Sequence, residues 1–189
     1  MNRGIIYGVA AYGIWGFFPV FWKLLVHVSP LELIYHRIIW SFLMLLAIIF
    51  FLRRWTSFRE QAFTLKRIGI YTVSALLVGV NWLLYVWAVN SGHIVECSLG
   101  YFINPLVSVL LGVIFLRERL RLLQWVSIGF AFAGVLFLSV LYGSLPWIAL
   151  SLAISFGLYG FIKKTAPLDS LNGLTLETGV LFLPVLVLL

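Results

Sequence analysis

The residues of this 189-residue chain that could do chemistry are amides, phenols and a few cations, set inside long apolar runs. Gly100, Asn104, Ser108 and Gly112 recur every four residues and so share one helical face. Pro105 follows Asn104 directly. It has no N–H, so the Tyr101 carbonyl loses its usual donor and the helix is expected to kink there. A freed carbonyl beside an amide could hold a polar solute or an ion; the same stripe also reads as a packing face with a structural bend. Asn81, Tyr85 and Ala88 share another face, with Trp82 next to it. An amide and a phenol there suit an amphipathic solute, or else an interhelical hydrogen bond. Lys23, His36 and Arg37 fall near span ends, and Trp40, three residues beyond Arg37, is expected to supply an aromatic wall. Together they form a candidate cationic vestibule for a solute with an anionic or polar group, although Lys23 could simply snorkel to the interface. Pro19 and Pro105 are the candidate hinges, and Asn90 reads as a helix terminus.

Acidic residues are scarce. Glu177 is the one carboxylate placed inside an apolar run, where coupled carriers often keep one. Glu118, between Arg117 and Arg119, reads as a loop ion pair marking a helix end. His27, His36 and His93 have no metal-ligand spacing, and the lone Cys97 reads as a small buried residue that excludes an internal disulfide. There is no H-E-x-x-H, P-loop or nucleophile elbow, so no catalytic residue, metal or cofactor is expected.

The elements that must position these groups follow from hydropathy. Hydrophobic residues make up 63% of the chain and charged residues 10%. Residues 98–116, 72–92 and 122–146 carry no charge. A surface helix of a soluble domain must show water a polar face, whereas a bilayer core of ~30 Å asks for ~20 apolar residues per helix. The sequence therefore predicts an all-α, polytopic membrane protein. Its spans are expected at about 4–26, 33–52, 68–89, 98–116, 123–141 and 145–162, with a seventh from about 171 that is still running at Leu189. That continuation predicts further spans beyond Leu189. No small-residue cleavage site follows the first run, so it is expected to remain as a helix.

The net charge of +7 does not point to nucleic acid, because the basic residues sit in short loops and not along one face. Arg3, Arg53, Arg54, Arg59, Lys66, Arg67, Arg117, Arg119, Arg121, Lys163 and Lys164 fall on one side and leave only Lys23 and Arg37 for the other. The positive-inside rule then puts the N-terminus in the cytoplasm and the 91–96 and 142–144 loops outside. Trp22, Trp55, Trp125 and Trp147 near span ends fit an interfacial belt. The motif aromatic-Gly-Phe around Gly16 recurs around Gly160. Copying a unit of five spans inverts the second copy, which predicts a first repeat over 1–143 and the start of an inverted one over 144–189, about ten helices in all with a central solute site.

Three stretches are distinctive: His36-Arg37-Ile38-Ile39-Trp40-Ser41, Asn81-Trp82-Leu83-Leu84-Tyr85-Val86-Trp87-Ala88-Val89-Asn90, and Ser98-Leu99-Gly100-Tyr101-Phe102-Ile103-Asn104-Pro105-Leu106. With them the chain resembles the EamA family of the drug/metabolite transporter superfamily, and within it the RarD-like permeases. Leu110-Leu111-Gly112, Arg117-Glu118-Arg119-Leu120, Leu145-Pro146-Trp147 and Glu177-Thr178 fit as well. The resemblance implies a ten-helix inverted-repeat permease of the bacterial inner membrane that exports drugs or metabolites. It implies no settled binding residues. The site set Asn81, Tyr85, Tyr101, Asn104, Lys23, His36, Arg37 and Trp40 comes from the residues themselves. The expected partners are the lipid bilayer and a small-molecule solute, with a homodimer allowed. The rival readings are a non-transporting assembly partner or a truncated, inactive permease, and a membrane-embedded enzyme, for which no span shows a nucleophile–base pair.

Overall fold

The computed structural model describes residues 3–143 and 145–188, without the side chains of Arg3 and Tyr142. The predicted 142–144 turn and the continuation of the last span therefore fall partly outside the described residues, at Ser144 and Leu189. Within them the chain forms α1 (Arg3–Leu24), α2 (Pro30–Phe51), α3 (Trp55–Ala62), α4 (Leu65–Asn90), α5 (Ile94–Leu116), α6 (Leu122–Tyr142), α7 (Trp147–Thr165) and α8 (Ser170–Leu188). Seven of these, all but α3, are long and apolar enough to cross a bilayer.

Helix ends differ from the sequence expectation where polar signals outrank hydropathy. Helix α2 begins at Pro30, three residues before its predicted start, because Ser29 caps it: its Oγ accepts from the Glu32 amide at 3.2 Å and Pro30 occupies the first turn. Helix α1 stops at Leu24, and its last residues wind into a turn. Helix α6 ends on Gly143 at φ 64°, a left-handed position that favours glycine.

Helix α3 is an addition to the predicted set. Phe58 and Ala62 are buried, against Ile49, Tyr71, Leu168 and Leu176. The loop between the second and third spans thus lays a short amphipathic helix under the ends of α2, α4 and α8. Trp55, Phe58 and Ala62, at helical spacing, were its signal in the sequence.

Helix α4 is the hub and touches α1, α2, α5, α7 and α8. The most extensive contact is α5 with α7. Small residues make it possible: a side chain on Gly100 would lie 3.1 Å from the Ala149 carbonyl, and one on Gly157 would lie 2.6 Å from Val107 Cγ1. Ala149 and Ala153 are fully buried in the same seam. With lipid as solvent, helices gain from packing and not from hiding apolar surface, so such close approach is what holds them. The outward faces of α1 and α6 remain apolar and exposed, as lipid-facing helices should; Phe17, Phe130 and Val140 are examples.

Candidate functional site

Four of the predicted residues come together. Tyr85 from α4 and Tyr101 and Asn104 from α5 line one cleft, and Asn81 lines a smaller adjoining pocket that shares these three residues. The cleft runs between α1, α4, α5 and α7, is walled by Tyr12, Trp15 and Phe156, and holds about 360 Å³. A volume of that order suits a small organic solute. Both candidate hinges, Pro19 and Pro105, border it.

The polar groups have distinct tasks. Asn81 donates its amide to the Leu152 carbonyl at 3.0 Å and to Ser155 Oγ at 2.9 Å, and so ties α4 to α7. Tyr85 and Tyr101 meet edge to face with ring centroids 6.0 Å apart; Tyr85 is buried and Tyr101 is half exposed to the cleft side. Asn104 Oδ1 accepts from Ser108 Oγ at 3.2 Å, one turn along. The predicted stripe on α5 therefore splits by position. Gly100 is buried under α7, and Gly112 makes room for the Glu118 side chain, whose Oε2 would lie 2.7 Å from an added Cβ. Glu118 does form an ion pair, but with Lys164 of α7 at 2.6 Å and not with its neighbours in sequence.

The vestibule set does not assemble as expected. The Arg37 guanidinium lies 4.0 Å from the centre of the Trp82 ring and 6.0 Å from that of Trp22, and makes no ion pair among the described residues. Trp40 does not wall it; that side chain is 66% exposed on the outside of the bundle. The cation turns inward because indole faces on α4 and α1 offer it a stabilising contact that hydrocarbon cannot. Lys23 and His36 are likewise exposed.

Sequence reasoning placed Glu177 inside a span but left it out of the site. In the structure it is fully buried. Its carboxylate accepts from Ser74 Oγ at 2.6 Å and from the Tyr159 hydroxyl at 3.3 Å, and lies 3.2 Å from Lys163 Nζ. Ser74 and Tyr159 carried no signal of their own, since a lone hydroxyl in an apolar run is ordinary. Only helix packing brings them to the carboxylate. Among the described residues no three His, Cys, Asp or Glu side chains are grouped to hold a metal ion.

Residues 2–140 match the EamA-like transporter family. The chain is 48% identical to Protein RarD of Streptomyces exfoliatus over 98% of its own length and 59% of that protein. It is 48% identical to the uncharacterized transporter YojE of Bacillus subtilis over 94% of its length and 60% of the relative. A more distant relative, the Chloramphenicol-sensitive protein RarD of Pseudomonas aeruginosa, is 30% identical over 93% of the chain and 60% of that protein. The chain thus spans about three-fifths of the curated relatives it matches. No solved structure matches it.

Proposed function

The chain belongs to the EamA-like transporter family, and from that premise we propose that it is part of a secondary transporter that moves small amphipathic organic solutes by alternating access, in the direction of export. The observation that carries this reading is the cleft between α1, α4, α5 and α7, where the Asn104 amide and the exposed Tyr12 and Tyr101 phenols line the wall of an otherwise apolar bundle. Asn104 and Tyr101 would bind the polar end of a solute, and Trp15, Tyr85 and Phe156 its ring or chain. The caged Arg37 would set the charge at the outer end. In this reading the N-terminus is cytoplasmic, the membrane is the bacterial inner membrane, residues 1–143 are the first repeat and 144–189 open the inverted second one.

The test is solute flux into proteoliposomes, with chloramphenicol as the first solute because one relative is named for it. Asn104→Ala removes one hydrogen bond to the solute, worth about 0.5–1.5 kcal/mol, so uptake at low concentration should fall about 2- to 10-fold. Arg37→Ala should lower uptake too. If both variants match the unmodified protein for chloramphenicol and for a chemically unrelated solute, the site assignment fails while the fold stands.

A further inference from the structure

The buried carboxylate of α8 is unused by the cleft, and it is surrounded by two hydroxyls and an ammonium. Glu177 is the eighth residue of α8, about 10 Å along the helix axis from its start. It is the one titratable side chain on that helix. From α4, Ser74 meets it, and Tyr71 stands nearby with its ring 5.3 Å from Lys163 Nζ. From α7 come Tyr159 and Lys163. The half of α2 packed alongside, residues 42–51, carries no titratable group. Helix α3 offers only Arg59 and Glu60, both exposed, and the adjacent Asp169 is half exposed and lies 3.8 Å from Arg54.

Two of the three direct partners are hydroxyls. A hydroxyl can donate to a carboxylate and can equally accept from a carboxylic acid. The third, Lys163, can only donate and is the one partner that loses its counter-ion if the carboxylate is neutralised. It sits near the end of α7 with its ammonium nitrogen buried and without a hydrogen-bond partner among the described residues, so once the carboxylate is neutralised only a swing of its flexible stem would carry it to water. Protonation would thus keep the Ser74 contact and the Tyr159 contact, which still joins α7 to α8, and release only the ion pair with Lys163.

We propose that Glu177 is a proton-binding site whose occupancy switches the α7–α8 ion pair with Lys163, and that this coordinates the cleft with the proton gradient. In the forward step hydronium gives its proton to a carboxylate oxygen. One O–H bond forms, water leaves, and the Glu177–Lys163 pair goes from net zero to +1. In the reverse step the proton passes to water on the side to which the bundle has then opened, and the pair re-forms. The cleft senses the change because α7 is common to both. Tyr159 lies one turn from Ser155 and Phe156, which hold Asn81 and wall the cleft. Ser74 lies two turns from Asn81 on α4.

This inference rests on the transport reading, and two measurements separate them. The first needs neither transport nor a variant. A lipid-soluble carbodiimide adds only to a protonated carboxyl, so labelling of Glu177 in reconstituted protein, located by mass spectrometry, should rise on acidification. Absence of label at acid pH overturns the proposal. The second uses proteoliposomes with a trapped pH dye and chloramphenicol. The unmodified protein should move protons in step with solute. Glu177→Gln should still exchange chloramphenicol across the membrane but lose proton movement and gradient-driven accumulation. Retained proton movement in Glu177→Gln, or solute exchange without protons in the unmodified protein, overturns the coupling and leaves the transporter intact. No exchange by the unmodified protein sinks the transporter and the coupling together, and the carbodiimide result then decides the proton site alone.

Discussion

Gly157→Ala tests the seam on which the bundle depends. The added methyl would sit 2.6 Å from Val107 Cγ1 and 3.2 Å from Val107 Cβ, with Leu111 Cδ1 at 3.8 Å. Val107 is β-branched and in a helix it holds one preferred rotamer, so it cannot turn the methyl away freely. Overpacking of this kind costs about 1–3 kcal/mol. Replacing glycine by alanine inside a helix returns about 1 kcal/mol through propensity, leaving a net loss of about 0–2 kcal/mol. The ambiguity is removed by Gly160→Ala on the same helix. That position is exposed and an added Cβ there meets nothing within 4 Å, so it takes the propensity gain without the clash. The difference between the two variants should therefore be about 1–3 kcal/mol. Reversible unfolding in mixed micelles, followed by intrinsic tryptophan fluorescence, measures it. Val107→Ala should recover most of the loss in the double variant, with a coupling energy of about 1–3 kcal/mol. Equal stabilities for Gly157→Ala and Gly160→Ala would mean that α5 and α7 do not approach as described, and the cleft walled by both would go with them.

Asn81→Ala removes two hydrogen bonds from α4 to α7; at about 0.6 kcal/mol each the loss in the same unfolding assay should be near 1 kcal/mol, and no loss would place α7 elsewhere. Phe58→Ala should free α3 from its seat on Ile49, Tyr71, Leu168 and Leu176. At about 3 kcal/mol for an emptied aromatic site, trypsin should cut at Arg59 at least ~10-fold faster. Cutting in inside-out vesicles but not in right-side-out ones would also place this loop in the cytoplasm; the reverse pattern refutes the orientation.

Legibility followed the range of the interaction. The spans could be read because insertion of a helix into lipid is decided by its own residues, over a window of about twenty. Asn81, Tyr85, Tyr101 and Asn104 could be singled out because an amide or phenol in such a window stands out locally, and the bundle brings them to two adjoining pockets. Trp40 was misplaced by the same local logic. Three residues after Arg37 is a neighbouring position on an isolated helix, but the cation reaches for indoles on other helices. Helix α3 was missed because eight residues with only three apolar anchors fall below any span-sized window.

The amino-acid sequence by itself determined that lipid is the solvent, how many helices cross it within these residues, and which family they belong to. Tertiary structure alone decided what each polar group meets. Ser74 and Glu177 are 103 positions apart, and Tyr71 accepts from the Leu168 amide across 97. Such pairs depend on which helix faces enter the bundle, and that is settled by small-residue seams such as Gly100 on Ala149 and Gly157 on Val107. In a bilayer every helix is already apolar, so hydropathy cannot rank one partner above another, and close packing does.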